Sequence, residues 1–259
     1  MGYIENVPSR LPWLLALLAA SVAAQTVSGE RSADVKFLSS DLLEGRGVGT
    51  RGGRLAEEYL AAQFALAGAE PAGENGTYFQ AVPLVGVATQ PDATLQAVSG
   101  SQKESFRWLD DFVGVSHNQQ PRTQVDAEAV FVGHGILAPE FRWDDYKGID
   151  LRGKVAVMFT NEPRSNDPKF FGGRALTYYG RWTYKFEEAR RRGAVAAILI
   201  HTVPTAGYGW EVVRNSWGGE EPFVKLSPGE TDLAFAGWVT EAGGESPRGD
   251  RRSDGSKRG

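Results

Sequence analysis

The first hydrophobic block, Leu11-Pro12-Trp13-Leu14-Leu15-Ala16-Leu17-Leu18-Ala19-Ala20, is continuous, follows Arg10 and leads into Val22-Ala23-Ala24. It is too short for a bilayer core of about 30 Å, which takes roughly 20 apolar residues, and it has the form of a signal-peptide core with cleavage after Ala24. A polar stretch from Gln25 to Ser32 separates it from the next pattern, which argues against the alternative of a buried first helix. Helical spacing then takes over. Val35, Leu38 and Leu42 predict a short helix over Ser32 to Ser40 with Ser32 as its cap. Gly45, Gly47, Gly49, Gly52 and Gly53 predict a loop, and Leu55, Tyr59, Leu60, Phe64 and Leu66 an amphipathic helix ending near Gly68. Pro71 to Gly76 reads as a turn and Thr77 to Val87 as a strand weakened by Pro83. Thr94–Val98, Ser105–Leu109 and Phe112–Val115 read as short strands.

A second unit is expected from Asp126. Ala129-Val130-Phe131-Val132 is strand-like, and so is Lys154 to Phe159, launched by the turn Asp150-Leu151-Arg152-Gly153. Tyr178 to Arg192 predicts a helix whose basic end precedes Gly193. The apolar run Ala194 to Ile200 predicts a buried central strand, with Ile198 inside and Trp182, Phe186 and Ala189 of the helix covering it. The order of elements implies an α+β or α/β fold, with a helical and strand segment followed by a β-rich domain with packing helices. From Gly243 to Gly259 there is no aliphatic or aromatic side chain, so this tail is expected to be disordered.

Composition narrows the chemistry. The 259 residues are 41% hydrophobic and 23% charged, with 28 basic and 32 acidic side chains, a net charge of −4. That balance disfavours nucleic acid as a partner, and the absence of Cys removes thiol catalysis and Cys-ligated metals. His117, His134 and His201 are the three histidines; none begins a His-x-x-x-His pair, and single histidines are more often structural than ligands. Serine-hydrolase elbows and P-loops are missing as well. Gly47-Val48-Gly49-Thr50-Arg51-Gly52 fits a dinucleotide-loop pattern, but the residues before it, Ser40 to Arg46, are polar and turn-like where a buried strand is needed, so it reads as a surface loop. Asp110-Asp111 and Asp144-Asp145 read as solvated acids in turns, and Asn75-Gly76-Thr77 as a glycosylation sequon. No residue is assigned a catalytic, cofactor-binding or metal-binding role.

Longer stretches carry a resemblance. Phe37 to Thr50, Gly52-Gly53, Ala56-Glu57-Glu58-Tyr59-Leu60 and Gly68 to Val87 resemble the start of exported co-catalytic zinc aminopeptidases. Asp126 to Ser227 resembles the protease-associated (PA) domain inserted in those enzymes. Its marks are Val130-Phe131-Val132-Gly133, Trp143-Asp144-Asp145-Tyr146, Asp150 to Val155, Ala189 to His201 and Ala206-Gly207-Tyr208-Gly209-Trp210; His134 stands where Tyr is usual. The resemblance covers about residues 33 to 240 and implies peptide-bond hydrolysis with two zinc ions in the intact family. The first zinc ligand there comes in a His-x-Asp motif, which this sequence lacks, so no ligand is carried over and no cofactor is assigned to this chain. The layout implied is a signal peptide at 1–24, a peptidase-family segment at 25–125, a PA domain at 126–227, a return to the peptidase domain at 228–242 and a tail at 243–259. Two readings stand. One is the front portion of a secreted zinc aminopeptidase, inactive as this chain. The other is a stand-alone exported PA-type binding module. Both place the protein in a secreted or periplasmic compartment, off the membrane once the signal is removed, with a peptide or protein as partner.

Overall fold

The computed structural model describes residue 29 and residues 31–241; the signal at 1–24 and the tail at 243–259 lie outside the described residues. Two compact units follow one another, the first ending at Val82 and the second beginning at Pro83.

In the first unit, helix α1 runs through residues 31–38, so Ser32, expected as its cap, lies inside it. Ser40 instead caps a 3-10 turn, Asp41–Arg46, by accepting from the Leu42 amide at 3.3 Å. Helix α2 (Arg51–Leu66) starts on Thr50, whose hydroxyl accepts from the Gly53 amide at 3.2 Å. Gly52 and Gly53 therefore belong to the first turn of α2 and not to the predicted loop. The reason is contact: a Cβ on Gly52 would stand 1.8 Å from the Leu43 carbonyl oxygen, and one on Gly53 2.4 Å from that of Gly47. Close packing overrides the poor helix propensity of glycine here. Phe37 stacks on Tyr59 at 4.3 Å, and the Tyr59 hydroxyl donates to Asp34, tying α1 to α2.

The second unit holds eleven strands among the described residues. They are β1 (Leu84–Val87), β2 (Leu95–Ser99), β3 (Gln102–Phe106), β4 (Phe112–Val115), β5 (Ala129–Phe131), β6 (Leu137–Ala138), β7 (Trp143–Asp144), β8 (Val155–Phe159), β9 (Ala196–His201), β10 (Glu221–Val224) and β11 (Phe235–Thr240). The helices are α3 (Trp182–Arg191), α4 (Val203–Ala206) and α5 (Trp210–Trp217). The strand predicted from Thr77 shrinks to β1, because Pro83 has no amide to donate. The strand predicted at Ser105–Leu109 lies earlier, as the second arm of the β2–β3 hairpin. The predicted Tyr178–Arg192 helix is split: Tyr178–Gly180 is a 3-10 turn, and Arg181 is extended at φ −73°, ψ 139° before α3 begins.

The result is a mixed α/β architecture. A five-stranded sheet has the order β4-β11-β9-β8-β5, parallel throughout except for β4. The expected borders at 125/126 and 227/228 fall inside this sheet, since β4 and β11 lie outside them in sequence and complete it. Register places Leu199 opposite both Met158 and Trp238, and Ala197 opposite Ala156 and Ala236. These side chains share one face with Val113 and Val115 and are packed there by Phe186 and Ala189 of α3 and Val213 and Trp217 of α5. Trp182, predicted to cover β9, sits at the rim of that cluster, 42% exposed with its ring 5.1 Å from Trp217. Ile198 was expected inside; strand alternation turns it to the opposite face, where it is half-buried.

Helix α3 ends in a tight reversal. The Gly193 amide donates to the Arg190 carbonyl at 2.9 Å and the Ala194 amide to that of Ala189 at 3.0 Å, with Gly193 at φ +77°. This pair of bonds is a Schellman cap. Among the described residues no helix is long and apolar enough to cross a membrane.

The two faces of β9 give a direct test. Leu199→Asp should destabilise the second unit by several kcal/mol, roughly 3–5, by burying an unpaired carboxylate. Ile198→Asp should cost clearly less. Urea unfolding of the two variants reads the difference, and equal losses would contradict the assignment of faces.

Candidate functional site

Strands β8 and β9 are parallel and end side by side, and the chain turns polar at that end: Thr160-Asn161-Glu162 after β8, His201-Thr202 at the end of β9. The carboxyl end of parallel strands is where α/β sheets commonly hold ligands. Asn161 takes the left-handed conformation at φ 60°, one that Asn tolerates. Its side-chain amide donates to the Thr205 carbonyl, while the Thr205 hydroxyl lies 2.9 Å from that of Thr160 and 2.8 Å from that of Thr202. Thr205 thus gathers the ends of both strands.

A second polar group joins this one through His134. Lys185, on α3, has no exposed surface, and its Nζ donates to the His134 carbonyl. The His134 Nδ1 lies 3.3 Å from the Asn161 carbonyl oxygen. Two carboxylates act on the amine at longer range, Asp145 and Glu162, but neither is at ion-pair distance from it. Each is engaged elsewhere: Asp145 accepts from the Ile136 amide at 3.1 Å, and Glu162, 3% exposed, accepts from the Thr177 amide at 2.9 Å and hydroxyl at 2.5 Å. Desolvation by burial lowers the Lys185 ammonium from 10.5 to about 7, against the pull of those carboxylates. Burial likewise lowers His134, with the nearby Lys185 adding to the effect. An amine titrating near neutrality has the right strength for a base, yet without exposed surface it meets no substrate. Its work is to bolt α3 to the turn after β5.

Sequence reading missed Lys185, and the signal was present. Trp182, Lys185, Phe186 and Ala189 follow i, i+3, i+4, i+7, so the lysine falls on the apolar face of its helix. Glu188 was missed for the same reason; it is 8% exposed and binds Arg191 and Arg192 at 2.8 Å each. Arg192 in turn lies over the Tyr146 ring at 3.8 Å.

The three histidines do not converge. His117 is packed among Phe223, Phe186 and Trp217 at 5.0 to 6.3 Å, whereas His134 and His201 belong to the ends of the parallel strands. Asp110 and Asp111 pair with Arg107 at 3.2 and 2.9 Å. Asp144 accepts from the Tyr146 amide at 2.9 Å. Asp145, expected to be a solvated acid, is half-buried and structural. Asn75 stands exposed in the 3-10 turn Glu74–Gly76. Among the described residues no three His, Asp or Glu side chains meet as metal ligands. Two shallow hollows lie elsewhere. One of about 710 Å³ includes Phe64, Glu70, Glu74 and Tyr78, and one of about 380 Å³ includes Asp150, Arg152 and Arg192.

No family model and no curated protein sequence matches this chain. Among solved structures, an aminopeptidase from Aneurinibacillus sp. strain AM-1 is similar with a TM-score of 0.33 and 19% identity, over 81% of this chain and 37% of that one. The chain spans little more than a third of the length of that aminopeptidase.

The buried amine sets a pH dependence. Between about pH 7 and 10 the unfolded chain keeps the Lys185 proton and the folded one has released it, so raising the pH favours folding. The thermal midpoint of the second unit should therefore rise from about pH 7 to about pH 9, and Lys185→Met should flatten that rise. Calorimetry at a series of pH values measures both; a midpoint that falls with pH would reverse the assignment.

Proposed function

We propose that the chain is the front portion of a secreted zinc-dependent aminopeptidase, comprising a peptidase-family segment and a PA-type module, and that its own role is to bind peptide or protein without cleaving it. One observation carries this reading: the residues that bear the resemblance pin a single sheet. Gly133, at φ 58°, has Asp145 so close that a Cβ would stand 3.0 Å from its carboxylate. The Tyr146 hydroxyl donates to the Gly135 carbonyl at 3.0 Å. Asp150 accepts from the Arg152 amide at 3.1 Å in the turn that launches β8. The Gly153 amide reaches the Gly193 carbonyl at 2.9 Å, and the Val195 amide reaches that of Lys154 at 2.9 Å, joining the two motifs that flank α3 and β9. Motifs scattered over more than sixty residues of sequence, from Gly133 to Val195, therefore act as parts of one module.

Each of these residues is occupied in holding the fold; Asp150, which also lines a hollow, is paired with Arg152 at 2.8 Å. In the family resembled, zinc supplies the activated water for hydrolysis; the described side chains here orient strands and turns instead. The stand-alone module differs from the front-portion reading only in whether a peptidase domain belongs with it, and both assign binding to this chain.

The exported protein should begin at Gln25, which intact-mass measurement checks. Zinc titration by calorimetry should show no micromolar site, and an aminoacyl chromogenic substrate should give no chelator-sensitive turnover. Synthetic decapeptides should shift the tryptophan emission saturably. Chelator-sensitive turnover, or the absence of any peptide binding, would overturn the proposal.

A further inference from the structure

His201, the last residue of β9, is 3% exposed, and neither of its ring nitrogens has a hydrogen-bond partner among the described residues. Buried polar atoms in that condition are uncommon and call for a physical account. The ring is shut away from water by the segment 202–209, which carries α4, Gly207 and Tyr208. The Tyr208 ring lies 5.4 Å from the imidazole at 35°, and Trp210 follows at 5.8 Å.

This segment is lightly held compared with its flanks. Val203 is 58% exposed and Tyr208 43%, and residues 203–209 contribute nothing to the two apolar clusters. Its latch is Thr205, on which the side chains of Thr160, Asn161 and Thr202 converge. Gly207, at φ +84°, and Gly209 give the chain freedom just before α5. Beyond them α5 is anchored by buried Val213 and Trp217 and by the Trp210 indole donating to the Leu109 carbonyl at 2.8 Å. Between a central strand and an anchored helix there is thus a stretch that can move without unfolding either.

We propose that residues 202–209 form an acid-released strap over the carboxyl end of β8 and β9, and that protonation of His201 undocks it and bares Thr160 and Asn161. Under the closed strap a charged imidazole would have only the Tyr208 backbone and the Glu211 carboxylate in its favour, too little to offset its burial. The titratable groups around it are Tyr208 on the strap and Glu211, which is exposed on α5. The neighbouring strands lead to Thr160 and Thr240, which carry no charge, and the carboxylate of Asp111, whose carbonyl accepts from Thr240, is held by Arg107. Burial keeps the neutral ring favoured, outweighing the Tyr208 backbone and the Glu211 carboxylate. Opening exchanges a desolvated cation for a hydrated one, and its cost is the Thr205 latch and the ring contacts of Tyr208. The inference does not depend on the aminopeptidase reading.

Amide hydrogen exchange on the full chain tests it, at about pH 7.5 and about pH 5, corrected for intrinsic rates. Protection of residues 202–209 should fall about tenfold or more at the lower pH while β9 and α3 stay protected. His201→Phe should keep the strap closed at both values, and Thr205→Val should loosen it at both. Should the phenylalanine variant fail to fold, ring titration of His201 in the unaltered protein by NMR replaces it, and its midpoint must coincide with the loss of protection. Unchanged protection, a gain in protection from a new His201–Glu211 pair, or a loss shared by the whole unit would each overturn the proposal.

Discussion

The reversal at Gly193 is the constraint on which the second unit depends. A helix and a strand joined by so few residues have little freedom in their relative placement. The Schellman bonds at Gly193 and Ala194 close the last turn of α3. The Gly193 carbonyl then accepts from Gly153 and the Val195 amide donates to Lys154, so the same turn also sets β9 beside β8. Once β9 is placed, its register with β8 and β11 follows residue by residue. Ala197 and Leu199 then meet Phe186 and Ala189 of the helix that precedes them. A left-handed glycine thus fixes a helix-on-sheet core whose buried area supplies most of the stability.

That geometry explains an otherwise costly choice, a lysine on the core face of α3. A buried ammonium without a contacting carboxylate is unfavourable in itself. Lys185 is placed where a long side chain can cross to the turn after β5, whose carbonyl at His134 would otherwise lie unbonded beneath the helix. Gly133 and Gly135 both take positive φ in that turn, and Asp145 and Tyr146 close it from the other side. The polar interior is therefore local. It concentrates at one end of the sheet, while one turn further along α3 Glu188 holds two arginines near the surface. Conformational specificity, with one turn held in one register, is what such buried polar groups provide when they do not add stability.

Much of this was legible in the sequence, and the limits are instructive. Continuous apolar runs gave β8 and β9, and the Gly193 stop gave the end of α3, because local pattern and tertiary role agree there. Faces were harder. Ile198 and Leu199 are equally apolar, and only the register says which one turns toward α3. Glycine misled in one place: Gly52 and Gly53 look like loop residues, yet they are small so that α2 can lie against the backbone of Leu43 and Gly47. The polar network was the least legible part. Thr160, Asn161, Thr205, His134 and Lys185 come from four separate segments, and no spacing in the sequence announces that they meet.

The residues that mark the resemblance are turn and packing residues, and this bears on how far a family likeness reaches. Asp145, Tyr146, Gly153 and Gly193 each serve a turn that the connectivity of this sheet needs. Fold-bearing motifs report architecture; activity is reported by groups that converge on an open site. Here the converging groups are hydroxyls, an amide and an imidazole at the end of the parallel strands, a set suited to hydrogen bonding an extended chain or holding a strap in place. What these groups offer at the end of the sheet is hydrogen bonding, and Thr205 is where it is used, joining Thr160, Asn161 and Thr202.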